Sequence, residues 1–302
     1  MHVFVTGGSG QTGPAVVAEL LAAGHAVTGL ARSDAAAARL ESLGATPHRG
    51  SLEDLDRLRS GAGAADGVLH MAYGGDFADP DSMMRRDTNA IKTLGEVLEH
   101  SGKPLVITSG TLVMPAGRES TEQDEPDPAG IATFRTAGER ACLGFVPRGV
   151  RASVVRLAPT VHGPGDYGFI PMLITTARKT GVSAYAGDGA NRWPAVHRLD
   201  AAVLFRLALE KAPAGSVLHG AAENVTMKSI AETIARGLGL LAVSLIPEQA
   251  ATHFISPFMA TAYGFDGPVS SARTRELLGW SPSHPALLDD LTRGDYLAAP
   301  AC

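Results

Sequence analysis

The chain begins "HVFVTGGSGQTGPAVVAELLAAGHAV": an apolar run, a glycine-rich turn, then apolar residues at helical period. Gly7, Gly10 and Gly13 fall at GxxGxxG spacing between the run and the helix. In a strand–turn–helix unit the first glycine permits a tight turn and the second lets backbone approach a pyrophosphate. The third allows close packing of helix on strand. The helix N-terminus behind them offers unpaired N–H groups and the positive end of its dipole to phosphate. A turn in this context commits the chain to a βαβ crossover and predicts a bound dinucleotide.

The next stretches continue the alternation. Strands are expected at His2–Thr6, Ala26–Ala31, Thr46–Arg49, Gly67–Met71, Leu105–Ser109 and Ala152–Leu157. Helix-period spacing appears between them at Pro14–Ala23, Ala35–Leu43, Leu52–Leu58, Asp87–His100 and Arg135–Phe145. Short connections imply right-handed crossovers, hence an α/β fold with a doubly wound parallel sheet (Rossmann) and a smaller C-terminal substrate lobe. After Pro159 the texture changes: a loop, a helix at Ile170–Thr180, a strand–turn–strand in "SAYAGDGANRWPAVH", and helices at Leu199–Lys211 and Met227–Gly237. Residues 1–164 with about 196–220 are expected to bind the cofactor, and residues 165–195 with 221–302 to form the substrate lobe.

Composition narrows the function classes. The net charge is −5 and the sequence pI about 6.1, with no basic run, so a nucleic-acid surface is not expected. Cys142 and Cys302 stand far apart without metal-type spacing, so neither a metal site nor a disulfide framework is expected. The apolar stretches fall short of a bilayer span, and strand-like residues start at His2, leaving no room for a signal peptide. A cytoplasmic protein without membrane contact is the expectation.

Cofactor contacts are expected from Gly7, Ser9, Gly10, Gln11, Thr12 and Gly13 in the loop, and from Arg32 and Ser33 after the second strand. Ser51 and Leu52 follow the third strand, Met71 and Ala72 the fourth, and Pro159 and Val161 the sixth. An acid at the end of the second strand would hold the ribose hydroxyls of NAD; here Ala31 takes that place, and Arg32 follows. A guanidinium there matches a 2′-phosphate, so NADP(H) is expected ahead of NAD(H). Asp34 is close enough to reach back toward a ribose.

Taken together, these residues resemble the extended short-chain dehydrogenase/reductase (SDR) family in its epimerase/dehydratase-like branch. "DGVLHMA", "VRASVVRLAPTVHGPGD", "YAGDGANRWPAVHRLDAA" and "SSARTRELLGWSPS" resemble its successive segments in order, over nearly the whole chain. The family implies a Ser/Thr, a Tyr-x-x-x-Lys pair and an Asn, the tyrosine protonating the developing alkoxide and the lysine lowering the phenol's pKa. In this chain the pair aligns with Phe134 and Gly138, the serine with Gly110, and the asparagine with Asn89. None of Tyr73, Tyr167, Tyr185, Tyr263 and Tyr296 has a lysine four residues on. The eroded tetrad resembles the atypical members of the family. The resemblance also suggests a homodimer through two helices.

Ligands of open parallel sheets bind beyond the carboxyl ends of the strands. Tyr73, Ser109, Thr111 and His162 stand there and are the candidate proton donors for a carbonyl oxygen, which needs one O–H or N–H nearby. Tyr167, Phe169, Met172 and Trp193 are expected to wall the substrate, with Arg192 as an anionic anchor. The expectation is an NADPH-dependent carbonyl reductase acting on a small organic molecule. Two alternatives stay open: an epimerase or dehydratase with transient hydride transfer, and a cofactor-binding sensor without turnover.

Overall fold

A computed structural model describes residues 1–74 and 79–298. The chain runs β1 (His2–Thr6), α1 (Gly13–Ala22), β2 (Ala26–Ala31), α2 (Asp34–Ser42), β3 (Thr46–Arg49), α3 (Leu55–Gly63), β4 (Gly67–His70) and α4 (Pro80–Leu98). It continues through β5 (Pro104–Gly110), α5 (Thr136–Leu143), β6 (Arg151–Leu157), β7 (Thr160–His162), α6 (Phe169–Thr180), β8 (Val182–Ala186) and β9 (Arg192–His197). Then follow α7 (Arg198–Lys211), β10 (Ser216–Gly220), β11 (Glu223–Thr226), α8 (Met227–Leu238) and β12 (Leu241–Leu245). Four short helices close the described chain: α9 (Pro247–His253), α10 (Pro257–Gly264), α11 (Ala272–Leu278) and α12 (Leu287–Arg293).

Seven parallel strands form the main sheet in the order β10-β6-β5-β4-β1-β2-β3. The order reverses between β4 and β1, which opens a crevice at their carboxyl ends. Val16, Val17 and Leu20 of α1 pack with Leu204 and Phe205 of α7 on one face. Leu58 of α3, Ile91 and Leu94 of α4 and Cys142 of α5 cover the other. Covered faces explain why β5 and β6 are almost continuously apolar.

Several elements differ from the expectations. β10 is a seventh strand, delivered by α7 to the edge beside β6. Asp79 accepts from the Ser82 N–H at 2.9 Å and Pro80 stands in the first turn, so α4 starts seven residues before the expected Asp87. Asp54 likewise caps α3 and moves it beyond the expected Leu52–Leu58. Arg135 lies in a 3-10 turn, Thr133–Arg135, rather than inside α5. The strand, turn and strand expected around Gly187 are present, but the two strands pair elsewhere: β8 with β12, and β9 with β7 and β11.

The small sheets and α6, α8 and α10 enclose a core of their own built on Ile170, Trp193, Ile230, Tyr263 and Leu287. A polar seam ties this part to the main sheet. The His162 ring meets His197 edge-on with centroids 5.3 Å apart, and His197 stacks on His284 at 4.9 Å. His162 Nδ1 lies 2.8 Å from Asp290 Oδ2, while Asp200 accepts from His284 Nδ1 at 2.8 Å and the Ser283 N–H at 3.0 Å. Burial, then the neighbouring His162 and His284, push His197 down to about 4. The indole N–H of Trp280 donates to the Asp200 carbonyl at 2.9 Å.

Candidate functional site

The glycine loop is held at van der Waals limits. Gly7 has φ +77°, and a Cβ on it would stand 2.6 Å from the Ala72 nitrogen at the end of β4. A Cβ on Gly13 would stand 2.1 Å from the Gly7 carbonyl oxygen, so α1 can sit this close only with glycine there. Around Gly10 the nearest atom to such a Cβ is the Gly7 oxygen, at 3.2 Å, and the backbone is otherwise open. The Thr12 side chain makes no capping bond and the first turn of α1 holds no acidic residue. Its N–H groups and dipole therefore face the crevice, the arrangement a pyrophosphate needs.

Around this cradle, Arg39 Nη1 donates to the Ser9 carbonyl at 3.2 Å. The Gln11 amide donates to Asp166 Oδ1 at 2.7 Å, and Arg198 donates to the carbonyls of Gln11 and Pro164. Tyr296 Oη donates to Asp166 Oδ2 at 2.8 Å and accepts from the Gly163 N–H at 2.9 Å. Gln11 is thus a bridge between the glycine loop and the loop after β7. Burial raises the Asp166 carboxyl above its ordinary value against the Gly168, Tyr296 and Arg198 contacts that lower it. Arg32 is exposed after β2, Ser33 caps α2 by accepting from the Ala36 N–H at 3.2 Å, and Asp34 is ion-paired with Arg49 of β3. Ser51 Oγ accepts from the Glu53 N–H at 3.2 Å, and Leu52 packs on the core below α3. Met71 packs on the core near α1, and the Ala72 N–H donates to Thr6 Oγ1 at 3.3 Å. Pro159 and Val161, half-buried, flank the start of β7.

From Thr6 a buried polar chain crosses the sheet ends. Thr6 Oγ1 and His70 Nδ1 are 2.8 Å apart, and His70 Nε2 is 3.1 Å from Asp87 Oδ1. With the His70 proton assigned to Nε2, Thr6 donates to Nδ1 and Nε2 donates to Asp87, so every atom is satisfied. Asp87 Oδ2 faces Arg135 Nη1 at 3.9 Å, and Arg135 Nη2 donates to the Thr108 carbonyl in β5. The Arg135 guanidinium carbon lies 3.6 Å from the centroid of the Tyr73 ring, which also stacks on Phe134 with centroids 6.2 Å apart.

Tyr73 Oη, Ser109 Oγ, Thr111 Oγ1 and Arg135 Nη1 are buried without a hydrogen-bond partner among the described residues. Each buried orphan costs about 1–3 kcal/mol unless water or a ligand meets it. Burial pushes the Tyr73 phenol up to about 12; Arg135 opposes that shift and Asp87 adds to it. The Tyr73 phenol is therefore protonated at neutral pH, and Arg135 links its ring to the Thr108 carbonyl of β5. The space at Gly110, where the resemblance implies a serine, is open: a Cβ there would come no closer than 3.8 Å to the Leu157 oxygen.

Other expected site residues stand elsewhere. His162 is 1% exposed and engaged by Asp290, so its free proton-donor role gives way to a place in the seam. Asn89 is exposed on α4; Asp87, two residues earlier, turns inward instead. Trp193 is 1% exposed in the core of the second lobe, its indole N–H donating to the Ala262 carbonyl at 3.1 Å, and does not wall a cleft. Arg192 is clamped by Asp266 in a charge-assisted, forked contact, Nε at 3.1 Å and Nη2 at 3.0 Å. Phe169 is half-buried, edge-on to Trp193 at 5.3 Å; Met172 is half-buried beside it and Tyr167 is exposed. Asp87 and Arg135 were missed by the sequence reading, although Arg135 adjoins Phe134 and Asp87 opens "DTNAIKTLGEVL".

The sequence matches that of the NAD dependent epimerase/dehydratase family over residues 3–219. A Schizosaccharomyces pombe protein described as uncharacterized is 46% identical over 298 residues, 98% of this chain and 100% of that one. A Stigmatella aurantiaca protein, 4-hydroxy-2-methyl-3-oxo-4-farnesyl-3,4-dihydroquinoline-1-oxide ketoreductase, is 30% identical over 264 residues, covering 83% of this chain and 78% of its own. The fold is also that of DesIV, a dTDP-glucose 4,6-dehydratase from Streptomyces venezuelae solved with NAD bound. The TM-score is 0.78 at 20% identity, covering 98% of this chain and 96% of that one. The chain belongs to the NAD dependent epimerase/dehydratase family, within the extended SDR class.

Proposed function

We propose that this chain is an NADPH-dependent carbonyl reductase in which Tyr73, rather than a residue of α5, donates the proton. The observation that carries the reading is the buried, unpartnered Tyr73 hydroxyl at the end of β4, tied through Arg135 to the Thr108–Ser109 end of β5. When bound, the nicotinamide supplies a hydride to the carbonyl carbon. Tyr73 Oη then gives its proton to the carbonyl oxygen, which Ser109 and Thr111 hold by hydrogen bonds. Gly7, Gly10 and Gly13 with the N-terminus of α1 take the pyrophosphate. Arg32 takes the 2′-phosphate, a role favoured by the pairing of Asp34 with Arg49, which leaves the ribose end without a ready carboxylate.

Residues 1–164 with about 196–220 form the cofactor part in this reading, and 165–195 with 221–302 the substrate lobe. Phe169, Met172 and Tyr167 favour an apolar organic carbonyl compound, since Arg192 is already neutralised by Asp266. The name of the Stigmatella aurantiaca ketoreductase supports the same class. Family membership favours a second reading, epimerisation or dehydration with a hydride taken and returned to the substrate. Nicotinamide absorbance separates the two: a reductase consumes NADPH stoichiometrically with ketone, while an epimerase leaves the pool unchanged. NADPH binding without turnover on a broad panel of apolar ketones and nucleotide sugars would instead favour a sensor.

A further inference from the structure

A lysine at Gly138 would have to displace the ends of two side chains. A Cβ there would stand 2.9 Å from Asp87 Oδ2 and 3.0 Å from Ile91 Cδ1, so the Asp87 carboxylate fills the space through which that side chain would leave α5. The cation near Asp87 comes instead from the preceding 3-10 turn, where Arg135 is only 10% exposed. We propose that Arg135 is the positioning residue for Tyr73, its guanidinium lying on the phenol ring and stabilising the tyrosinate that proton donation leaves behind. The inference rests on the reading of Tyr73 as proton donor.

Three contacts fix the guanidinium for this task. The Thr108 carbonyl accepts from Nη2, Asp87 Oδ2 draws on Nη1, and the flat face lies 3.6 Å from the ring centroid. A planar fork can stack and donate in its plane at once, which an ammonium cannot do. His70 and Thr6 hold Asp87 from behind, so the arginine is anchored through β4 and β1. The charged groups acting on the phenol are Arg135 from the turn before α5, and Asp87 and Arg86 from α4. Burial and Asp87 oppose ionisation, while Arg135, the largest favourable influence, and Arg86 promote it. In the reduction the Tyr73 O–H bond breaks as the new alcohol O–H bond forms. The negative charge left on Oη is met by Arg135 until water returns the proton. The hydride and its electron pair come from NADPH, which leaves as NADP⁺.

The test places a difluorinated tyrosine at position 73 of the full chain, so that its phenol ionises at a lower pH than tyrosine does there and fluorine NMR reads the midpoint without cofactor. Arg135→Gln keeps a donor for the Thr108 carbonyl but removes the charge. It should raise the midpoint by about one pH unit or more. Arg135→Lys keeps the charge without the stacking fork and should raise it by less than half as much. In the unlabelled enzyme Arg135→Gln should lower kcat by about 10²-fold, with NADPH affinity by calorimetry holding within threefold. An unchanged midpoint in Arg135→Gln overturns the inference. If that variant does not fold, Arg135→Lys decides in its place: a raised midpoint supports the inference and an unchanged one overturns it. Tyr73→Phe separates the two layers. Full NADPH consumption by Tyr73→Phe defeats the donor reading itself, whereas lost turnover together with an immobile midpoint in Arg135→Gln defeats the arginine inference alone.

Discussion

At the scale of single residues, function turns on partners that sequence distance conceals. The place of Arg32 at the end of the second strand was legible, because that strand is an apolar run. Arg192 and His162 were not, since their partners Asp266 and Asp290 lie 74 and 128 residues away. A free cation and a free imidazole look identical in sequence to paired ones. The same reason hid Arg135, whose ring partner Tyr73 sits on another strand end. Arg32→Ala should weaken NADPH binding by about tenfold to a hundredfold, the worth of one or two charge-assisted hydrogen bonds, while NADH binding changes little. Titration calorimetry with both nucleotides checks this, and equal losses for the two would remove Arg32 from the 2′-phosphate site.

Helices and strands carry the cofactor loop through packing that glycine alone permits. Gly13→Ala would place a methyl group 2.1 Å from the Gly7 carbonyl, and backbone cannot rotate aside as a side chain does. The helix must shift, at a cost of about 1–3 kcal/mol, and the N–H groups of α1 shift with it. Urea denaturation should show that loss, and dinucleotide binding should weaken in parallel. A variant of wild-type stability would mean that α1 is not pinned to the loop. Most of the main sheet was readable because β1, β4 and β6 are largely apolar and buried on both faces. β12 and its pairing with β8 were not, as short strands that find each other across 55 or more residues leave no local pattern. The early start of α4 was signalled only by Asp79 and Pro80, since "DSMMRRD" lacks an apolar stripe.

Over the whole molecule, the histidine seam joins the small lobe to the main sheet, and its charge state ties stability to pH. His197 titrates near 6.5 when unfolded and near 4 in the fold, so the unfolded chain binds the extra proton first. This contribution is complete above about pH 6.5, declines as pH falls, and is gone by about pH 4. Melting temperatures measured from pH 7 to pH 4.5 should therefore drop, and His197→Gln should flatten the slope in that window. An identical slope in the variant would assign the acid sensitivity to other groups. Among the described residues no group of three or more His, Cys, Asp or Glu side chains is placed to hold a metal ion, and no helix is long and apolar enough to cross a membrane.

In the reductase we propose, the scales meet at Tyr73: the glycine loop and α1 take the pyrophosphate, β4 and β5 bring the hydroxyls, and Arg135 sets the phenol. The direct test follows NADPH absorbance with a panel of apolar ketones for the wild-type chain and for Tyr73→Phe, with NADPH affinity measured in both. The account predicts ketone-dependent consumption by the wild type and a loss of about 10²–10⁴-fold in Tyr73→Phe at unchanged affinity. Undiminished turnover in Tyr73→Phe would contradict it.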